Sequence, residues 1–518
     1  MNIKRLIWMF SGCVAFFSLA WLVFFVPSTM DEFLPYHRLA CWSHSYSQLN
    51  TFREGCNLHC NDFFGFKYHR SFAYVGVTSS LIYYPFFKLF PQIMSHYILG
   101  IIFLIIIALL FSKSLDIPYR ISLIPILYPP LTMAITHDTG PVRLALLTYP
   151  VIAICVSRLV SVRYCWVNKL FWICFSTCLI LLALEDKPFY AYLFPSILLL
   201  SFAISMYNNK GISPNNFENK NLFKKFQTLF LNKSSIISLG IFGILILIGC
   251  DLIFFRIKAG DSSLLPYLVS VSQTLKKYTV IEELKMMVAY LFCPIVYLKW
   301  IFTFNTFNSR TIISFISFSP ILAILFFNIM KSNKHYIDAF LSSLLLLVII
   351  FCLSGATVNP HHFIFLHLPL ITLLMIFASE SDKNAERILI SLSVCSILTF
   401  FLLCGLANRA QYQSRDAILD YLSTNNATRN SVINFSSWDG YYIQSLYGPS
   451  KQLVTFISPL NDLSFKDINI LLKRKNSQTF FNVCRDCTID DMKYFFKTQN
   501  VNEIENKMNI WKIFKISY

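Results

Sequence analysis

Acidic residues are scarce in this chain: 27 Asp and Glu stand against 44 Lys and Arg in 518 residues, and the four types together make up only 14%. A soluble globular domain carries about 25% charged residues, so a water-facing surface of ordinary size is excluded. No internal repeat and no low-complexity linker breaks the chain, which excludes a repeat array or domains strung on a tether. The apolar stretch after Lys4-Arg5 lacks the small-x-small pattern of a signal-peptidase site and is long enough to span, so it reads as an uncleaved first helix.

The chain is rich in apolar residues, at 55%, with a mean hydropathy of +0.56. Apolar runs of about 18–20 residues read as spanning helices, because lipid offers backbone polar groups no partner outside the helix itself. Candidate spans lie near 6–26, 93–112, 119–136, 142–160, 168–184, 188–206, 235–255, 311–330, 338–355, 361–378 and 388–407. The expected fold is an α-helical polytopic membrane protein with about 11 transmembrane helices. The net charge of +17 would fit nucleic acid in a soluble protein. Here the cations sit in short connectors beside spans, where they set orientation, so no nucleic-acid partner is expected.

Lys4-Arg5 places the N-terminus in the cytoplasm and the loop 27–92 outside. With the spans alternating, the basic connectors that carry Lys113 and Arg120, then Arg158, Arg163 and Lys169, then Lys210, Lys220, Lys224, Lys225 and Lys233 all fall inside. Two apolar segments must then stop short of crossing. Residues 72–89 read as an interfacial helix broken at Pro85, and residues 286–304, interrupted by Pro294 and Lys299, read as re-entrant. Lys331, Lys334, Lys383 and Arg387 then fall inside and the C-terminal tail outside.

Beyond residue 407 the composition changes. Residues 408–518 mix Lys, Asp and Asn with short β-rich runs such as 453–457 and turns such as Asp439-Gly440, as expected of a small α/β soluble domain outside the cytoplasm. The domains are therefore 1–407, transmembrane with the outer loop 27–92, and 408–518, soluble. Of 15 cysteines, those in spans (Cys13, Cys155, Cys174, Cys178, Cys352, Cys395) read as small core residues. Cys41, Cys56 and Cys60 in the outer loop, and Cys484 and Cys487 in the tail, are placed where thiols pair. His37, His44 and His59 lie among the loop cysteines, but the spacing is irregular. No cofactor is assigned, and a divalent metal has no clear motif behind it.

Ionisable residues near membrane depth are costly and tend to face a working cavity. Three such clusters surface on the outer side: His137-Asp138-Thr139-Gly140-Pro141-Val142-Arg143, then Glu185-Asp186-Lys187-Pro188, then Asn359-Pro360-His361-His362. Asp31-Glu32, just past the first span, and Asp62 in the outer loop lie on that side too. Each cluster alone also reads as a helix-end anchor or an intramembrane salt bridge. Together they suit transfer of a sugar from a polyprenyl phosphate. The leaving phosphate wants Lys, Arg or protonated His nearby, the attacking hydroxyl wants a carboxylate base, and the prenyl tail wants an apolar groove. Displacement from the face opposite the phosphate inverts the anomeric centre.

On these residues the chain resembles the GT-C membrane glycosyltransferases, and within them it is similar to protein O-mannosyltransferases and lipid A aminoarabinose transferases. The resemblance rests on Met30-Asp31-Glu32 after the first span, followed by Tyr36 and Ala40, and on Leu81 to Phe90 before the second. It extends to Leu184-Glu185-Asp186-Lys187-Pro188, where the family tends to carry Thr-Lys-Gly or Thr-Lys-Pro, and to Asn359-Pro360-His361-His362-Phe363-Ile364, where it often carries a His-Pro-Arg-Tyr-like run. Here Glu185-Asp186 replaces the Thr, and no arginine follows Pro360. The resemblance implies Asp31 as catalytic base with Glu32 beside it, and Asp138 as the second acidic position. Lys187 and His361 or His362 are the implied lipid-phosphate contacts. Arg143 is a further candidate for the phosphate, and Asp62 is a carboxylate without family support.

The implied partners are a polyprenyl-phosphate sugar, the bilayer, and an acceptor that is a glycan, a lipid or a protein. Abundant Asn, Lys, Ile and Phe suggest an AT-rich genome, which leans bacterial, so the expected location is an inner membrane of the cell envelope with the site facing the periplasm or exterior. A transporter or flippase would spread its charges along a pathway near the midplane, whereas these gather at one face. An O-antigen polymerase or ligase would carry an arginine-pair motif in residues 257–310, which these lack, and no soluble tail.

Overall fold

The computed structural model describes residues 3–25, 59–63, 66–70, 78–89, 92–137, 142–160, 165–208, 233–257, 279–292, 309–332, 335–354, 360–406, 432–435, 454–457, 479–484, 488–496, 498, 500–504 and 512–517. It divides into two compact units. One comprises residues 1–26 and 98–406, the other residues 27–97 and 407–518.

The first unit is a helical bundle. Its helices are α1 (Ile3–Phe25), then, after elements of the second unit (β1, His59–Phe63; β2, Phe66–Arg70; α2, Thr78–Leu89), α3 (Gln92–Ser114, which enters from the second unit), α4 (Leu123–Leu127), α5 (Pro129–His137), α6 (Arg143–Val160), α7 (Trp166–Asp186) and α8 (Phe194–Asn208). They continue with α9 (Lys233–Ile257), α10 (Val280–Phe292), α11 (Ser309–Lys331), α12 (His335–Ser354), α13 (His367–Glu380) and α14 (Asp382–Leu406). Among the described residues seven helical segments are long and apolar enough to cross a membrane: Ile3–Trp21, His96–Ser114, Arg143–Val160, Trp166–Asp186, Tyr190–Asn208, Tyr336–Leu353 and His362–Glu380. The protein is a helical polytopic membrane protein.

Two expectations change at prolines. The apolar run 119–136 is not one helix but a 3-10 turn (Tyr119–Ser122) followed by α4 and α5. Tyr128 is extended, with φ −83° and ψ 102°, because Pro129 bars the residue before it from the helical region and Pro130 removes a further donor. The opposite holds at Pro85, which was expected to break the interfacial helix. It lies inside α2, and its ring sits on the exposed side, where one lost hydrogen bond is tolerated.

Side-chain contacts fix which helix ends lie together. Lys4 and Asp382, in the first turns of α1 and α14, pair at 2.8 Å, and Ser393 donates to Ser11 further along at 3.1 Å. These two helices therefore run parallel. Asn208, ending α8, donates to the Ser114 carbonyl that ends α3, at 2.8 Å, and Tyr207 bonds Ser379 near the end of α13 at 2.9 Å. Tyr336, starting α12, donates to Glu380 at 2.8 Å, and Asn384 donates to Asn328 near the end of α11 at 3.3 Å. All of these mark one end of the bundle.

The other end is marked by the start of α13. There Phe318 of α11 meets His367 at 6.1 Å between ring centroids and Tyr290 of α10 meets it at 5.1 Å, while Phe292 meets Phe315 at 6.2 Å. The described part of α10 thus lies at the end where α11 and α13 begin.

The second unit holds the β1–β2 hairpin, with Asp62 opposite Lys67, and α2. It also holds a five-stranded sheet from the tail: β3 (Val432–Phe435), β4 (Val454–Ile457), β5 (Thr479–Cys484), β6 (Val501–Ile504) and β7 (Lys512–Ser517), in the order β4-β3-β5-β7-β6. β3 pairs in parallel with β4 and β5, while β7 runs antiparallel to β5 and β6. Between β5 and β6 lies α15 (Ile489–Phe496), whose Met492 is buried and accepts from Asn482 at 3.0 Å. In β7 Phe514 and Ile516 are buried on one face of the strand, while the other face carries buried Ile513 and exposed Lys515. The pairing expected of the loop and tail cysteines lies outside the described residues.

Candidate functional site

Three chain breaks gather at the end of the bundle opposite Lys4. At the first, α5 ends in His137 and α6 begins at Arg143. Arg143 is buried, and it donates from Nε to the Ile135 carbonyl and from Nη2 to the Thr136 carbonyl, both at 2.6 Å. These are carbonyls that the end of a helix leaves without intrahelical donors, so at least two of the guanidinium's donors hold α5 in place. Gly100 of α3 makes room for this arrangement: a Cβ there would lie 2.6 Å from the Thr136 oxygen and 2.7 Å from Arg143 Nη2.

The second break follows from Pro188. Lys187 sits extended at φ −151°, ψ 98°, as a residue before proline must, so α7 stops at Asp186 and a 3-10 turn, Pro188–Leu193, follows. The Lys187 amide still closes the helix on the Ala183 carbonyl at 2.9 Å, and the Lys187 carbonyl accepts from Tyr190 at 3.1 Å. Asp186 is 1% exposed and Lys187 6%. Charges buried this far persist only in a polar setting that answers them.

The third break is the 3-10 turn Pro360–Leu366, which carries His361 and the buried His362. Its aromatic residues tie it to the others. Phe365 stacks on Tyr149 of α6 at 5.8 Å and meets Tyr190, just after Lys187, edge-on at 5.6 Å. Phe363 meets Phe351 of α12 at 5.6 Å and Tyr290 of α10 at 5.7 Å. The same turn also packs against α5. Phe365 therefore brings the Lys187 break and the His361-His362 turn together.

Beneath this turn His367 Nδ1 bonds the Tyr128 hydroxyl at 2.6 Å, with both residues buried. The extended Tyr128 that breaks the 119–136 run is what turns its ring toward α13.

One buried carboxylate here was not singled out from the sequence. Glu283 of α10, 1% exposed, lies on a helix that packs against the 360–366 turn and α12. A signal for it existed in Thr279-x-x-Glu282. Thr279 donates to Glu282 Oε2 from its backbone at 2.8 Å and from its hydroxyl at 2.9 Å, and its Oγ1 accepts from the Glu282 amide at 3.3 Å. This reciprocal cap starts the helix and leaves Glu283 on the inward face. The Thr279 donors hold the Glu282 carboxyl below the usual range.

The elements bearing Arg143, Lys187, His361 and His362 are thus brought to one end of the bundle. Asp62 belongs to the β1 strand of the second unit. Asp31, Glu32 and Asp138 lie outside the described residues. Among the described residues no three His, Cys, Asp or Glu side chains stand together as a metal-binding group.

The helical bundle, joined in the chain to a small mixed sheet, shares its fold with a solved membrane enzyme of the GT-C glycosyltransferase class. The particular likeness is to ArnT, an aminoarabinose transferase of that class, from Cupriavidus metallidurans. Its crystal structure bound to undecaprenyl phosphate matches with a TM-score of 0.50 over 99% of this chain and 97% of that one, at 10% identity. The apo crystal structure of the same protein matches with a TM-score of 0.38 over 98% and 97%, also at 10% identity. No family model matches this sequence, and no curated protein does.

Proposed function

We propose that the protein transfers a sugar from a polyprenyl-phosphate donor to an acceptor hydroxyl at the outer face of the membrane, with inversion. The observation that carries this reading is the Phe365 junction, which joins the Lys187 break to the His361-His362 turn within a fold whose solved neighbour holds undecaprenyl phosphate. Lys187 and the histidines receive the donor phosphate. Asp31 takes the acceptor hydroxyl's proton, and the oxygen attacks the anomeric carbon. The bond from that carbon to the phosphate oxygen breaks, and the electron pair leaves with the lipid phosphate, whose charge the cations stabilise.

About eleven crossings, with α10 turning back, fit the helix directions. Since α1 and α14 run parallel, the count of crossings from one through the other is odd. Lys4, Arg5, Arg120, Lys383 and Arg387 at one end mark it as cytoplasmic by the positive-inside rule, so the site faces the periplasm or exterior of a bacterial inner membrane. Incubating the purified protein with a radiolabelled polyprenyl-phosphate sugar tests the reading: release of free lipid phosphate together with a labelled acceptor is the expected result.

A further inference from the structure

At the end of the bundle away from that site, a cleft of about 270 Å³ lies between α1, the 3-10 turn Tyr119–Ser122 and the junction of α13 with α14. Its charged residues are Lys4, Arg5, Arg120, Asp382 and Glu386, with Trp8 on one wall. Lys4 is taken up by Asp382 at 2.8 Å, whereas Arg120 lies over the Trp8 ring at 5.8 Å. Among the described residues neither Arg5 nor Arg120 makes an ion pair. Glu386 Oε1 is buried and receives no hydrogen bond from the described residues. The cleft thus offers two guanidiniums suited to one phosphate and, a short distance along α14, one carboxylate oxygen that wants an N–H donor. Around the rest of α1, away from the face that lines the cleft, Leu6, Met9 and Phe10 are exposed, so the cleft opens beside a helix whose outer surface is apolar and can take an acyl chain.

We infer that this cleft binds the headgroup of an aminophospholipid, its phosphate on Arg5 and Arg120 and its primary ammonium on Glu386, with an acyl chain along α1. The match is chemical: a phosphoethanolamine headgroup carries one anionic and one N–H-bearing cationic group, the complement of what Lys4 and Asp382 leave unanswered. A choline headgroup has the same charges but no N–H to give Glu386, and a glycerol headgroup has no cation.

The test is retention of lipid by the full-length detergent-purified protein in native mass spectrometry, with phosphatidylethanolamine, phosphatidylcholine and phosphatidylglycerol of identical acyl chains. Phosphatidylethanolamine is expected to be retained about tenfold better than phosphatidylcholine, the loss typical of one charge-assisted hydrogen bond. Glu386→Gln should reduce that preference to near parity, and Arg120→Gln should weaken retention of all three lipids. Soluble phosphoethanolamine at matched concentration should not compete, because it lacks the acyl chain. Equal retention of the ethanolamine and choline lipids, a preference that survives Glu386→Gln, preferential binding of phosphatidylglycerol, or full competition by the soluble headgroup would each overturn the proposal. Both variants change exposed or half-buried side chains, and thermal unfolding of each beside the parent separates a lost lipid from a lost fold.

Discussion

The Lys4 ammonium and the Asp382 carboxylate meet at 2.8 Å, tying the first turn of the first helix to the first turn of the last. With Ser11 and Ser393 in contact further along, α1 and α14 run side by side in the same direction. The loop after α1 and the tail after α14 therefore leave the bundle at the same end. Residues 45 and 518 should both be extracytoplasmic. A reporter active only in the cytoplasm, fused at Tyr518, should be silent, and a signal there would reverse the assigned orientation of the tail.

Gly100 should not tolerate a methyl group. Gly to Ala inside a helix ordinarily stabilises by about 1 kcal/mol, but here the added Cβ would meet the Thr136 backbone oxygen at 2.6 Å. Backbone cannot swing aside as a long side chain does, and overpacking of this kind costs roughly 1–3 kcal/mol. Gly100→Ala is expected to lower the unfolding temperature, while Gly12→Ala, with nothing within 4 Å, should leave it level or slightly raised. A Gly100→Ala protein as stable as the Gly12→Ala protein would show that the α3–α5 approach is looser than described.

Lys187→Ala should raise KM for the lipid-linked donor and slow its transfer by about ten- to a hundredfold, the worth of a charge-assisted contact of roughly 1.5–3 kcal/mol. A lysine that only neutralises Glu185 or Asp186 behaves differently, because removing the acids along with it should restore activity. The triple change Glu185→Gln, Asp186→Asn, Lys187→Ala distinguishes the two roles. Activity that stays low supports a phosphate contact; recovery assigns that contact to the His361-His362 turn or to Arg143.

In the tail, Thr488 starts α15 by donating to Asp491 Oδ2 from its backbone at 2.8 Å and from its hydroxyl at 2.7 Å. These donors favour the ionised form and hold the Asp491 carboxyl below its usual range. For a depressed carboxyl, the stabilisation is complete above the unfolded value of about 3.9 and is lost as pH falls through the lower folded value. Hydrogen exchange of residues 489–496 in the full chain should quicken, beyond its intrinsic pH dependence, as pH drops below about 4. Thr488→Ala should give weaker protection at neutral pH and a flatter acid limb. An acid limb unchanged in Thr488→Ala would assign the effect to other groups.

Much of the bundle is legible in the sequence because hydrophobic length and basic connectors obey lipid physics directly. The break at Lys187-Pro188 is legible as well, since proline restricts the residue before it whatever the tertiary setting. Tyr128 marks where such reading runs out. Pro129-Pro130 was in plain view, but the run 119–136 is apolar enough to pass for one helix, and only packing shows the tyrosine turned onto His367. Glu283 escaped notice because one carboxylate beside a capping glutamate looks like surface, and its burial depends on α12 and the 360–366 turn, far away in sequence. Arg143 reads as a candidate for the donor phosphate, and the carbonyls that claim two of its donors become visible only when α5 has ended beside it.

The central claim is a carboxylate base acting on a lipid-linked sugar, and the most direct measurement is turnover of purified Asp31→Asn protein with a radiolabelled polyprenyl-phosphate sugar. The amide keeps the side chain's shape but takes no proton at neutral pH, so transfer should fall by about 10²–10⁴-fold while the protein remains folded in the membrane and still binds the donor. Glu32→Gln should cost less. Near-normal turnover by Asp31→Asn would contradict the account.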